Sequence, residues 1–254
     1  LSVAIENNVI QIPCNDRSLE QLIQRIRSIL ATFDIAERLS KNVEQKISYF
    51  LTEENDFKEF SKEAYSIREG IYDKENFETF SRCLNSSFPS RELYPIQLLS
   101  AYHLAFSQNA CNFSVPGAGK TSVVYGAYAY LKSLPKDNQK HVDKLIIVGP
   151  LSSFGPWEAE YKACFGLQAS SKRLSGGISF DEKKSYFYST NPAEIILISY
   201  QGLPSIIDHL EKYLKKNKCM VVLDEAHKIK NTDGGVIASS ALQMAKYCKA
   251  RVIL

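Results

Sequence analysis

No run of apolar residues in this chain approaches the ~18–20 that a helix needs to cross a bilayer. The longest candidates, 145–148 and 195–198, have the length of strands. A charged segment followed by an apolar one is missing from the first residues, so no secretory leader is expected. The 6 cysteines, at 14, 83, 111, 164, 219 and 248, form no CxxC pair and have no histidine at metal-ligand spacing. They read as reduced, mostly buried thiols of a cytoplasmic protein. Internal repeats and low-complexity tracts are lacking as well. Membrane-embedded, disulfide-scaffold and zinc-module classes are set aside on these grounds.

What is present is an ordinary globular composition. The 254 residues are 44% hydrophobic and 23% charged, enough for one large domain or two modest ones with a real core. A net charge of +3 hides an asymmetry. Residues 1–90 carry 11 Lys and Arg against 15 Asp and Glu, whereas residues 91–254 carry 20 against 13. A basic second part suits a phosphate-bearing partner, although solubility alone accounts for it equally well.

The two parts differ in grammar. Residues 2–5 and 9–12 flank Asn7-Asn8 and predict a short hairpin, because Asn tolerates the positive φ of a tight turn. Ser18 with Gln21 makes a capping box ahead of Leu19, Leu22, Ile23, Ile26, Ile29 and Leu30 at helical spacing. Asp34 with Glu37 starts a second helix, and shorter segments follow around 57–71 and 77–84. Residues 1–88 are therefore expected to be a mainly helical accessory domain, joined by a linker at 85–90. From residue 91 to 254 the fold class is α/β. Candidate strands at 110–115, 145–148, 195–199, 220–223 and 251–254 alternate with helical stretches at 96–107, 121–134, 157–164, 203–216 and 236–248. Nearly continuous apolar strands alternating with helices predict a parallel sheet covered on both faces. Ligands of such sheets sit beyond the C-terminal strand ends.

Two of those strand ends carry chemistry. After the first come Pro116, Gly117, Ala118, Gly119, Lys120, Thr121 and Ser122, which open a helix and are expected to bind the nucleotide. Glycines let backbone N–H groups turn toward phosphate oxygens, and the helix N-terminus adds partial positive charge. Lys120 would reach the β- and γ-phosphates of ATP, and the Thr121 hydroxyl would ligate Mg²⁺. Ser114 stands where the strict phosphate-loop pattern has a glycine. After a later strand, and 104 residues beyond Lys120, comes Asp224-Glu225-Ala226-His227. Asp224 would hold Mg²⁺ and Glu225 would polarise the attacking water.

This pair resembles motifs I and II of superfamily 2 helicases and translocases, DEAH variants included, and its surroundings are most similar to Swi/Snf-type ATPases. Leu93-Tyr94-Pro95-Ile96-Gln97 resembles the element whose glutamine reads the adenine edge, which implies that role for Gln97. Gly149-Pro150-Leu151-Ser152-Ser153 with Trp157, Glu160 and Tyr161 resembles motif Ia and the W-x-x-E-[FY] that trails it. Residues Ile196 to Tyr200 resemble the strand before motif Ib, and His227-Lys228-Ile229-Lys230-Asn231 continues the acidic motif as in that group. The resemblance spans about 91–254 and departs from the group at Ser114-Val115-Pro116.

It implies a RecA-like P-loop NTPase lobe, the first of two, ending before motif III. It also implies an ATP-dependent translocase or helicase acting on nucleic acid, with DNA favoured over RNA. The stretch alone is expected to hold Mg-nucleotide without appreciable turnover. A nucleotide-dependent switch or binding module without tracking, and an RNA helicase, are the alternatives. Trp157 reads as a core anchor of its helix rather than a stacking platform, and His103, His141 and His209 have no evident partner. Ser152, Ser153 and Ser199 are candidates to touch a sugar–phosphate backbone. The lysines 183, 184, 212, 215, 216 and 218 read as solvated faces at least as readily as a nucleic-acid groove.

Overall fold

The computed structural model describes residues 4–6, 9–11, 19–36, 41–229 and 235–254. They fall into two compact units, Leu1–Glu59 and Phe60–Leu254. In the first unit β1 (Ala4–Glu6) pairs antiparallel with β2 (Val9–Gln11), Ile5 opposite Ile10. The helix α1 (Leu19–Thr32) follows. The expected turn residues Asn7 and Asn8 and the expected helix-start residues Ser18 and Glu37 lie outside the described residues. The next helix, α2 (Lys41–Arg68), is continuous where two separate segments were expected. Residues 52–56 are polar but contain neither Gly nor Pro, so nothing breaks the backbone ladder there.

In the second unit, α3 (Lys74–Ser87) is capped by Asp73, whose Oδ1 accepts from the Asn76 N–H at 3.1 Å. It occupies residues read as the start of a linker. Phe80 and Leu84 are buried in the same core as the helices that follow, and Phe88 is buried edge-on to Phe165. The chain continues through α4 (Pro95–Ser107), β3 (Asn109–Cys111), α5 (Lys120–Ser133), β4 (Lys144–Gly149) and α6 (Phe154–Phe165). It ends with β5 (Ser171–Leu174), α7 (Phe180–Tyr186), β6 (Ile195–Ser199), α8 (Leu203–Leu214), β7 (Cys219–Leu223), α9 (Val236–Ala245) and β8 (Ala250–Ile253).

Strands β3, β8, β7, β4, β6 and β5 lie side by side in that order, all parallel. Alternation along each strand divides the core in two. Leu145, Ile147, Ile195, Leu197, Met220 and Val222 pack with the helices α3 to α6. Ile146, Val148, Ile196, Ile198, Cys219 and Val221 pack with α8 and α9. This is the doubly covered parallel sheet that the apolar strands predict, with a helical region ahead of it. Among the described residues no helix is long and apolar enough to cross a membrane.

Two predictions follow from the packing of this unit. Phe80 is fully buried, with ring centroids 5.4 Å from Tyr102 and 5.1 Å from Tyr130. Phe80→Ala should cost about 3–5 kcal/mol, read as a lower denaturant midpoint at unchanged slope. His103 lines a cavity of about 270 Å³ with Ile67, Arg68, Leu99 and Asn112. Burial, and then the Arg68 charge, hold its pKa below the ordinary 6.5. The unfolded chain therefore takes up this proton first, and stability falls as the pH drops below about 6.5 toward the lowered folded value. His103→Gln should flatten that part of the fall, measured by denaturant unfolding at about pH 7 and pH 5.

Candidate nucleotide-binding site

The phosphate-loop residues leave the sheet earlier than expected. Strand β3 ends at Cys111, and Asn112 N–H still donates to Ile253 C=O at 2.8 Å before the chain turns away. Asn112 Oδ1 accepts from the Ser114 N–H at 3.1 Å and from its hydroxyl, so the serine that replaces a glycine here is tied into a side-chain turn. Gly117 and Gly119 have φ of 83° and 78°. Gly119 precedes the first residue of α5, and a Cβ there would lie 2.4 Å from Gln97 Nε2. Its conformation demands glycine, and any Cβ would also push the Gln97 amide aside. Lys120, Thr121 and Ser122 form the first turn of α5, whose N–H groups have no intrahelical partners. The Lys120 and Thr121 side chains have no hydrogen-bond or ion-pair partner among the described residues.

Gln97 braces this loop. Its Oε1 accepts from Tyr94 N–H at 3.1 Å and its Nε2 donates to Ala118 C=O at 2.9 Å. Pro95, in the first turn of α4, pre-sets the helical φ. The amide keeps one donor and one acceptor site beyond those two bonds.

The acidic strand end is held from both layers. Asp224 N–H donates to Val148 C=O at 2.8 Å, and Asp224 C=O accepts from the Tyr200 hydroxyl at 2.7 Å. Trp157 Nε1 donates to Asp224 Oδ2 at 2.9 Å, leaving Oδ1 without a partner among the described residues. Gly149 ends β4 because a Cβ there would come within 3.0 Å of the Asp224 Cβ and 3.1 Å of Ser153 Oγ. Glu225 adopts φ of 54°, and its half-exposed carboxylate meets His227 Nδ1 at 3.2 Å.

One turn along α6 from Trp157, Glu160 Oε1 accepts from the Ser122 hydroxyl and pairs with Arg91 at 2.8 Å. The phosphate-loop helix and the acidic strand end therefore touch residues only three apart on a single helix, about 4.5 Å along its axis. In the sequence Trp157 reads as an anchor and, with Glu160, as part of the W-x-x-E-[FY] run, but neither these contacts nor Arg91 can be seen there. Trp157 is indeed 2% exposed, but its N–H needs a partner, and a buried indole is itself the signal for one.

Most of the other candidates are already engaged within the fold. Ser199 is 5% exposed and its Oγ accepts from Gly202 N–H at 3.2 Å, so it closes a turn instead of facing a backbone. Ser153 Oγ donates to Pro150 C=O at 2.9 Å, and Ser152 is exposed. His141 is buried, with its ring nitrogens 2.7 Å from Leu134 C=O and 3.0 Å from Asp143 Oδ1. His209 meets the Tyr188 hydroxyl at 2.9 Å. Lys230 and Asn231 lie outside the described residues.

A family model described as "Type III restriction enzyme, res subunit" matches residues 97–254, the stretch that holds every feature just described from Gln97 onward. The chain belongs to this helicase family. Among curated relatives, the Danio rerio "DNA repair and recombination protein RAD54-like" is 31% identical over 124 residues, 46% of this chain and 16% of that protein. The Arabidopsis thaliana "Protein CHROMATIN REMODELING 25" is 29% identical over 161 residues, 61% of this chain and 17% of that protein. The chain spans about a sixth of the length of these relatives. A solved structure, "Sulfolobus solfataricus SWI2/SNF2 ATPase core in complex with dsDNA", shares the fold at a TM-score of 0.50 and 21% identity, covering 66% of this chain and 32% of that one. The expected resemblance to superfamily 2 and Swi/Snf-type proteins is thereby borne out over residues 97–254, and the parallel sheet has the RecA-like fold.

The residues of this helicase-family lobe suit Mg-ATP. The glycine cradle and Lys120 suit phosphate oxygens, while the Thr121 hydroxyl and Asp224 Oδ1, without partners among the described residues, are the oxygen ligands that Mg²⁺ takes beside substrate phosphates. The cradle itself depends on the fit between Gly119 and Gln97. Gly119→Ala should destabilise the chain by about 1–3 kcal/mol. In a Gln97→Ala background the same change should cost less, with a coupling of at least about 0.5 kcal/mol in a double-mutant cycle. Additive costs would show that the two side chains do not meet.

Proposed function

We propose that residues 91–254 are the first motor lobe of an ATP-dependent translocase or helicase acting on DNA. The observation that carries the proposal is the joint placement of a phosphate loop and an acidic strand end against one turn of α6. Membership of the helicase family, the name of the Danio rerio relative and the basic balance of this part support the choice of nucleic acid. Bound Mg-ATP would supply the transferable phosphoryl group and the cation that neutralises its charge. The N–H groups of Gly117, Ala118 and Gly119, with the start of α5, would cradle the phosphates, and Pro116 would set the entry to that loop. Lys120 would place its ammonium on the β- and γ-phosphates. Thr121 and Asp224 would hold Mg²⁺, and Ser122 would fix the helix behind them. Glu225 would accept a proton from the attacking water, and Gln97 would offer its remaining donor and acceptor to the adenine edge.

We further propose that stepping requires a second RecA-like lobe, supplied beyond the residues described here, that the protein works in the cytoplasm, and that the helical region 1–88 is accessory to the motor, with α3 packed into the lobe's own core. Lys120→Ala in the complete protein should weaken triphosphate binding. Glu225→Gln should leave binding intact and lower turnover by about 10²-fold or more, because an amide cannot take the proton. The substrate is tested by steady-state phosphate release with duplex DNA, with RNA and with neither. Stimulation by DNA is expected. Stimulation by RNA alone makes the protein an RNA helicase, and indifference to both makes it a nucleotide switch.

A further inference from the structure

Helix α6 carries Trp157 and Glu160 on one face, and each is committed to a different part of the site. Trp157 is 2% exposed, wedged edge-on to Tyr125 at 5.4 Å, and its backbone C=O accepts from the Tyr125 hydroxyl at 2.7 Å. Tyr125 itself belongs to α5, so the indole is fixed from the phosphate-loop helix. Its N–H can only donate, and the acceptor it has is Asp224 Oδ2 at 2.9 Å. Glu160 takes the Ser122 hydroxyl, and Arg91 Nη2 reaches both partners, 2.8 Å from Glu160 and 3.2 Å from Ser122. Ser122 is 1% exposed and directly follows Thr121. The helix therefore grips the first turn of α5 at one end and a single carboxylate oxygen at the other.

We infer that α6 is a spacer that sets the distance between the Thr121 hydroxyl and the Asp224 carboxylate, with Trp157 and Glu160 as its positioning residues. The inference rests on the assignment of Thr121 and Asp224 to Mg²⁺. By occupying Oδ2, the indole fixes the carboxylate rotamer and reserves Oδ1 for the cation's side of the site. By holding Ser122, Glu160 keeps the preceding hydroxyl in register with that oxygen. Neither residue touches the nucleotide or the cation, so each acts through its partner.

The test is calorimetric binding of ADP to the full chain, with Mg²⁺ titrated and with EDTA as the metal-free reference. Trp157→Phe keeps an aromatic ring in the pocket but loses the donor and some volume, so its affinity in EDTA serves as the control for packing. The substitution should raise the Mg²⁺ concentration for half-maximal enhancement of ADP binding by about tenfold or more, since the lost bond is to an ionised group. Affinity in EDTA should stay as in the wild type, which a general loosening of the fold would not allow. Glu160→Ala, a partly exposed side chain at the other end of the spacer, is the second variant and should move the same midpoint in the same direction. Glu160→Gln keeps an acceptor for Ser122 and should stay within about threefold of the wild type. Unchanged midpoints in both Trp157→Phe and Glu160→Ala, with Asp224→Ala shifted, would overturn the spacer and leave the Mg²⁺ assignment standing. An unshifted Asp224→Ala would overturn the assignment and the spacer together.

Discussion

Every central strand of this sheet is sealed by side chains on both faces, and that two-sided burial decides where everything else can be. Backbone groups so enclosed have no water to turn to, so they must pair in register along the whole ladder. Leu145 lies opposite both Ile195 and Met220, and Val148 opposite both Ile198 and Leu223. With the register fixed in this way, the C-terminal ends of β4, β6 and β7 finish level with one another. Gly149, Ser199 and Asp224 then emerge side by side without any further instruction. The site is a by-product of the ladder.

The polar groups at those ends work within the limits that the core sets. Gly149 has no side chain because the Asp224 Cβ passes over it, and Ser199 is tied by Gly202 into the turn that follows its strand. Gln97 spends half of its amide on keeping α4 against the loop. In each case the local requirement of packing precedes any chemistry, and the groups left over are few. Among the described residues, Lys120, the Thr121 hydroxyl and one oxygen of Asp224 have no partner, Gln97 keeps half of its amide, and the Glu225 carboxylate has only His227. A site with so few available groups at its rim works through their placement more than through their number.

What could be seen in the sequence follows the same division. Strands β4, β6 and β7 have apolar centres and β8 only one charge, and the positions of all four were legible to within a residue or so. The phosphate loop and the acidic tetrapeptide were legible because their chemistry needs adjacent residues. Strand β5 was not, since Ser-Lys-Arg-Leu at a sheet edge has only Leu174 to bury and its charges go to Glu158 and Glu182. Helix α7 is only seven residues long, with no buried residue to give it a period. The unbroken α2 was missed because a polar stretch without Gly or Pro looks like a loop when read by hydrophobicity alone. Contacts such as Trp157 to Asp224, 67 residues apart, have no local signal at all.

The two acids at the end of β7 are adjacent in sequence and opposite in mechanical character. Asp224 is moored by its amide to one neighbouring strand, by its carbonyl to a tyrosine from the other layer, and by its carboxylate to an indole. It is a post driven into the sheet, and it can shift only if the sheet itself tilts. Glu225 stands on a left-handed residue with its side chain half in solvent and a single loose tie to His227. Its ties are far fewer than those of its neighbour. Any cycle that runs through this site would therefore work with one tightly held acid and one loosely held acid, set a single peptide bond apart.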